Sequence, residues 1–385
     1  MASVHKRGSS YQVRWREGKA NRSRTFKTKD EARRWQGMVE RSEIATPRPG
    51  EVPTLTEFAK DWLDTRTDLA ETTRVQYERW LTFHILPGAT GLGHIRVNEL
   101  NGGRIQDWQD KRLADGAGPA VLGKAQTLLS QILDKAVIKG LLAQNPVSPV
   151  KRPRHKKSKG RALSPEQVEG LRNWYLERND LGSATLVSVL AYIGLRPQDA
   201  LALSWSDFDA ELHVDKKNVA GEIVPGSKTG DSERWAYIPG PVRDDLDAWR
   251  DYAPESALIF PNRDGKPWTS ANYNNWRSRR QFKDGKPAKI KCFKLAVAET
   301  GIGESFRPYD LRHTAASLYA AAGWNHLRIA NQLGHSPEVS VRVYQHLLDR
   351  NERGAGLTVD QMIERVRTIS VRRLFADPRK IGSLH

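Results

Sequence analysis

The chain has 385 residues and a single cysteine, Cys292. One cysteine excludes an intrachain disulfide and any zinc site built on several thiolates. The ten histidines are scattered, without the spacing of a metal-ligand set. Chemistry without a metal is therefore expected, and no cofactor. Long apolar runs are also missing. No stretch approaches the ~20 apolar residues of a membrane span. The opening "MASVHKRGSSYQ" lacks the apolar region of a secretory signal. Negative charge is scarce: 45 Asp and Glu face 62 Lys and Arg, a formal net charge of +17. Such an excess points to a polyanionic partner, nucleic acid or an anionic membrane surface. With no membrane-inserting feature, a cytoplasmic protein working on nucleic acid is expected. The length allows two or three domains with cores of their own.

Three blocks and two linkers follow from the pattern. Residues 1–46 are strongly basic. In "YQVRWRE", Tyr11, Val13 and Trp15 alternate with Gln12, Arg14 and Arg16, the signature of a half-buried strand with a cationic outer face. "GKANR" reads as a turn and "SRTFKT" as a further strand. Thr28 and Glu31 form a capping box before a helix with Ala32, Trp35 and Val39 on one stripe. A small α+β domain, a three-stranded sheet with one helix on its back, is expected. Its cationic face is either a solvated surface or a nucleic-acid-binding one. "TPRPGEVPT" (46–54) is the first linker.

Residues 54–150 read as all-α. Thr54 and Glu57 suggest another capping box. Tyr77, Trp80, Leu81 and His84 recur at helical spacing until Pro87. "AQTLLSQILDKAVIKGLL" (125–142) carries Leu128, Leu129, Ile132, Leu133, Ala136 and Val137 as a core stripe. "KRPRHKKSKGR" (151–161) is the second linker, with 7 Lys or Arg in 11 residues. It is a solvated tether, and it also suits the backbone of a nucleic acid. Residues 162–385 form the largest block, mixed α+β, opened by Ser164 with Pro165 at the first helical position.

Four stretches of this third block carry chemistry. "LVSVLAYIGLRPQDALALSW" (186–205) is a buried helix ended by Gly194, with Arg196 at the entrance of the next helix and Asp199 in its first turn. An arginine there is often plain surface. Flanked by apolar sequence and beside free backbone N–H groups, it also suits an anion. "RPYDLRHTAAS" (307–317) has the same grammar: Pro308, then Tyr309, Asp310, Arg312 and His313, then an Ala-rich helix stopped by Gly323. Two guanidiniums at two helix entrances match the oxygens of one phosphodiester. In "EIVPGSKTGDSERWAYIP" (222–239), "IV" and "WAYI" read as strands of a hairpin with Lys228 near its turn. Lys228 is either a solubilising loop residue or a proton donor to a leaving oxygen. In "NQLGHSPEVSVRVYQHL" (331–347), Gly334 ends a helix, His335 sits in the junction, and Tyr344 is a candidate nucleophile.

Each stretch alone is weak, but their order and spacing together resemble the tyrosine recombinase (phage integrase) family. "GLRPQDALALSW" resembles its first-arginine motif, "SKTG…YIP" its lysine hairpin, "YDLRHT" its second-arginine motif and "LGHSPEVSVRVYQH" its histidine-to-nucleophile motif. The resemblance implies an arm-type DNA-binding domain at 1–46, a helical core-binding domain at 54–150 and a catalytic domain with a C-terminal tail at 162–385. Residues 279–304 and 350–385 fit it least.

It further implies that Tyr344 attacks a phosphate to give a 3′-phosphotyrosyl link, without ATP. Arg196 and Arg312 would clamp the non-bridging oxygens, Lys228 would protonate the 5′ oxygen, and His335 would hydrogen-bond the phosphate. Asp199 and His313 would be supporting residues. One position departs: Tyr309 stands where the family has histidine, and a phenol is a poor general base at neutral pH. The implied partners are double-stranded DNA with core-type and arm-type sites, three further copies in a homotetramer, a host DNA-bending protein and an excision factor. The implied role is integration and excision of a phage or mobile-element genome. A catalytically silent DNA-binding protein of the same fold is the alternative. For the tail "VRTISVRRLFADPRK", packing on a neighbouring protomer and packing on its own domain are both open.

Overall fold

The structure is a computed structural model that describes residues 2–17, 20–40, 52–155, 161–226, 233–278, 282–283, 286–287, 291–303, 305–338, 341 and 356–367. The chain divides into two compact units, Met1–Lys157 and Ser158–His385.

The first unit holds two separate hydrophobic cores. In the smaller, strands β1 (Ala2–Arg7), β2 (Ser10–Glu17) and β3 (Ala20–Phe26) form an antiparallel sheet in chain order. Helix α1 (Lys29–Glu40) begins at the Thr28–Glu31 box: the Glu31 amide donates to Thr28 Oγ1 at 3.3 Å and the Thr28 amide to Glu31 Oε2 at 3.2 Å. The alternation on β2 works as expected. Val13 packs with Ala32 at the centre, ringed by Tyr11, Trp15, Phe26 and Trp35, while Arg14 faces outward. The side chains of Arg16 and Val39 lie outside the described residues. Strand β3 starts inside "GKANR", earlier than expected, because the ladder continues through Arg16 opposite Asn21 and Glu17 opposite Ala20.

The larger core of this unit is helical: α2 (Leu55–Asp64), α3 (Glu71–Trp80), α4 (Gly102–Ala114) and α5 (Pro119–Ile138). Both halves of the Thr54–Glu57 box are made. The end of α3 loosens into a π turn, Leu81–Ile85, just before Pro87. Leu128, Leu129, Ile132, Leu133 and Ala136 of α5 are buried with Phe58, Trp62, Ile105 and Trp108.

The second unit is built around an inner helix. α6 (Pro165–Leu176), capped by Ser164 and Gln167, packs against α7 (Leu181–Ser188). A π turn, Val189–Ile193, prolongs α7, and its five residues are fully buried. Around this rod lie α8 (Pro197–Ala200), α9 (Gly240–Arg250), α10 (Ser270–Ser278), α11 (Phe293–Glu299), α12 (Asp310–Ala321), α13 (His326–Leu333) and α14 (Val359–Val366). The strands are short: β4 (Leu212–Val214), β5 (Lys216–Val219), β6 (Glu222–Pro225), β7 (Arg234–Ala236), β8 (Phe282–Lys283) and β9 (Lys286–Pro287).

The strand pairing corrects the expected hairpin. "IV" and "RWA" are strands, but β6 pairs with β5 and β7 pairs with β4. The reason is local. Ala220 and Gly221 both have positive φ, 57° and 108°. Such a two-residue turn has the twist that closes an antiparallel pair. Asn218 Oδ1 reinforces it by accepting from the Gly221 amide at 2.9 Å. β6 is thereby committed before the chain reaches Lys228.

Helix α14 is fastened by buried charge. Arg172, without solvent exposure, donates to Asp245 Oδ1 at 2.7 Å and to Glu169 Oε2 at 3.3 Å. Arg367, just past α14, meets the same two carboxylates at 2.9 and 3.5 Å. Tyr192 and Ser188 on the inner rod add hydroxyl bonds to Glu169 and Asp245. Asp360 accepts from the Tyr237 hydroxyl and the Gly240 amide. The tail thus starts on its own domain, and residues 368–385 lie outside the described residues.

Candidate active site

Two glycine-capped helix ends and two helix entrances make the site. Gly194 ends the inner rod at φ 84°. A Cβ there would stand 2.4 Å from Leu333 Cδ2 and 2.8 Å from Ala315 Cβ. Only glycine satisfies both the left-handed backbone and this close packing. The Gly194 carbonyl accepts from Arg312 Nη1 at 2.9 Å, and Arg312 is 3% exposed. Arg312 lies in the first turn of α12, whose first residue Asp310 accepts from the Arg307 amide at 2.8 Å. That bond shapes the entrance occupied by Tyr309, which is half exposed with its ring edge-on to His313.

Arg196 follows Gly194 by two residues. The proline after it holds it extended, at φ −68° and ψ 145°, as the residue before α8. Its Nη1 lies 3.4 Å from Asp199 Oδ2, and its Nη2 donates to the Gly334 carbonyl at 2.7 Å. Gly334 is the left-handed cap of α13, at φ 66°. The next residue is His335, whose Nδ1 lies 3.1 Å from the Ser336 carbonyl. A carbonyl only accepts, so Nδ1 carries the proton there. Burial pushes the His335 imidazole below the ordinary histidine range. The Ser336 carbonyl opposes this, and the guanidiniums of Arg312 and Arg196 reinforce it. His313 is also pushed down by burial, against the pull of Asp310.

Arg196, Arg312 and His335 therefore converge. Tyr309 joins them from the side, lining one pocket with Arg196. Lys228 and Tyr344 lie outside the described residues.

Similarity to known proteins identifies the family. The phage integrase family domain matches residues 161–351, and the phage integrase N-terminal SAM-like domain matches residues 54–113. The chain belongs to the phage integrase (tyrosine recombinase) family. Its relatives include the ICEBs1 integrase of Bacillus subtilis, 26% identical over 274 residues, which are 69% of this chain and 72% of that protein. Tyrosine recombinase XerC of Brucella melitensis is 24% identical over 80% of this chain and 94% of its own. Among solved structures, the Tn1549 transposon integrase with transposon right end DNA superposes with a TM-score of 0.64 at 15% identity. That match covers 78% of this chain and 99% of the other. The lambda integrase tetramer bound to a Holliday junction gives 0.57 at 15% identity, over 86% of this chain and 95% of its own. The protein is thus a site-specific DNA recombinase of the integrase type, with a small N-terminal sheet-and-helix domain, a helical core domain and a mixed catalytic domain.

Sequence reasoning missed two buried polar residues beside this cluster. Arg234 on β7 is 9% exposed. Its Nε donates to the Gln332 carbonyl at 3.0 Å, and its Nη2 lies 3.7 Å from Asp199 Oδ2. Burial lowers its pKa to about 10; Asp199 opposes that, and Arg196 adds to it. It remains charged at neutral pH, one carboxylate away from Arg196. No sequence pattern signalled it: burial on β7 runs buried, exposed, buried, which places the arginine inward and Trp235 outward. The second residue, Gln332, is 4% exposed and donates to the Ile193 and Tyr237 carbonyls, tying the inner rod to the chain after β7.

Among the described residues, Asp207, His213 and Asp215 form the one group close enough to share a cation. The Lys216 ammonium already lies 3.0 Å from Asp207 and 3.7 Å from Asp215. No described helix is long and apolar enough to cross a membrane.

Proposed function

We propose that the recombinase cleaves and rejoins DNA through a 3′-phosphotyrosyl intermediate formed on Tyr344. The supporting observation is the convergence of Arg196, Arg312 and His335 on the two glycine-capped turns. Tyr344 Oη attacks the scissile phosphorus, and the bond to the 5′ oxygen breaks. Lys228 Nζ gives that oxygen its proton. Arg196 and Arg312 meet the non-bridging oxygens as charge builds on the pentacoordinate phosphorus. Tyr309 donates a hydrogen bond to the phosphate from the place where the family has histidine.

His335 acquires a different part from the one its motif implied. With Nδ1 donating to Ser336, the neutral ring offers Nε2 as an acceptor. The Tyr344 proton goes there. A 5′ hydroxyl then attacks the phosphotyrosine and restores the phosphodiester, so the bond count is conserved.

In this reading, residues 1–46 bind arm-type sites, 54–150 core-type sites, and 162–385 carry the chemistry and a tail. The working form is a homotetramer on double-stranded DNA in the bacterial cytoplasm, assisted by a host DNA-bending protein and an excision factor. Its task is integrating and excising a phage or mobile-element genome. The test is a suicide core site nicked beside the cleavage position. Wild type becomes covalently attached and Tyr344→Phe does not. An adduct that survives Tyr344→Phe but not Tyr309→Phe overturns the nucleophile assignment. Tyr309 in the histidine position favours one second reading, a silent DNA-binding protein, which a wild type forming no adduct on any cognate site establishes.

A further inference from the structure

Beside the arginine pair lies a pocket of about 290 Å³, lined by residues of α8, the β5–β6 hairpin and the start of α10. Arg196 and Tyr309 belong to it as well as to the phosphate site. Its other lining residues include Trp268 and Tyr273. This volume is at the small end of ligand sites, fit for one planar heterocycle and too small for a base pair.

One polar group in its lining lacks a partner. Asn218 is 5% exposed, and its Oδ1 accepts from the Gly221 amide at 2.9 Å. That bond settles which end of the amide is oxygen. The other end, Nδ2, is buried with no hydrogen-bond partner among the described residues. A buried donor left unmade is destabilising, so it marks a place where an acceptor is due.

We propose that this pocket receives one unstacked nucleobase of the DNA, from a nucleotide next to the scissile phosphate. The inference rests on the recombinase reading above, because Arg196 must hold that phosphate. The chemistry fits at each wall. Aromatic rings offer stacking faces to any base, and every base edge carries a carbonyl or ring nitrogen for Asn218 Nδ2. The sugar and phosphate stay outside with Arg196. Leaving the duplex costs least where the base pair is weak or mismatched, so the pocket favours such a pair at the cleavage position.

Photo-crosslinking tests it. 5-Iodouracil is placed in turn at each position flanking the scissile phosphate of the nicked core site, with the full chain bound. Adducts are mapped by peptide mass spectrometry. The expected result is a crosslink on Trp268 or Tyr273 from one position. In Ser270→Trp, which fills the pocket from its exposed rim, that crosslink falls about tenfold, and a mismatch at the same position does not restore it. Crosslinks confined to Tyr309, or none at any position, in protein that still forms its covalent DNA adduct overturn the pocket and leave the recombinase standing. Absence of the covalent adduct removes the premise and overturns both. The mapping on wild type decides the matter even if Ser270→Trp folds poorly.

Discussion

Arg196 donates from Nη2 to the carbonyl of Gly334 at 2.7 Å, joining positions 138 residues apart. The same guanidinium reaches Asp199 through Nη1. One planar side chain therefore braces the turn that presents His335 while it faces the phosphate site. A lysine has the charge but not the fork. Arg196→Lys is expected to slow adduct formation on the suicide substrate about 10²–10³-fold, with DNA affinity nearly unchanged. Single-turnover rates and gel-shift titrations separate the two; equal loss of both contradicts the bracing role.

Arg234 sits behind that arrangement, bonded to the Gln332 carbonyl and close to Asp199. Arg234→Ala leaves Asp199 and the Gln332 carbonyl short of a partner in a buried place. Stability should fall by about 3 kcal/mol in urea unfolding. Arg234→Lys should recover part of the stability but less of the cleavage rate, since Asp199 and Gln332 are met by different nitrogens. Full recovery of both by lysine shows a purely structural residue.

The acid limb of cleavage belongs to His335 in the proposed mechanism. Its pKa lies below the usual ~6.5. Neutral imidazole is the proton acceptor, so the rate should rise with pH through that depressed value and level off above it. Initial rates of adduct formation from pH 5 to 8 on one DNA are the measurement. His335→Gln should flatten the limb; a limb unchanged in His335→Gln assigns the proton to another group.

Asp245 joins two guanidiniums that have little access to water, Arg172 and Arg367. Asp245→Ala leaves both to the single carboxylate of Glu169. A loss of about 3–5 kcal/mol is expected, seen as a lower Tm with α14 the first element to exchange its amides. A loss under about 1 kcal/mol, the scale of a surface pair, contradicts the account of how α14 is held.

Charge at long range is tested by salt. DNA affinity should fall steeply between about 50 and 200 mM salt, since a net charge of +17 is expected to meet many phosphates. Deleting residues 1–46 should weaken arm-type binding and leave covalent attachment at a core site. Parallel loss of both undermines the modular reading.

Much of the site was legible because its parts are local. Gly194 with Arg196, Tyr309 with Arg312, and Gly334 with His335 each fall within a few residues. Caps, prolines and left-handed glycines announce such helix ends from the chain alone. The capping boxes at Thr28, Thr54 and Ser164 formed for the same reason: both partners lie within one turn.

What the sequence by itself determined was therefore the inventory and its order: helix ends, strand faces, the basic excess, and the residues able to grip a phosphate. The tertiary structure alone decided which of them meet. Pairing β6 with β5 rather than β7 depended on the turn at Ala220 and Gly221, against the one expected from the sequence near Lys228. Arg234 looked like one more cation in a basic chain until β7 paired with β4 and turned it inward. The bond from Arg196 to Gly334 and the burial of Arg312 under Gly194 join segments more than a hundred residues apart. Contacts of that range leave no periodicity in a sequence. They exist only once the inner rod, α12 and α13 have packed and excluded water from the carbonyls that the two arginines then satisfy.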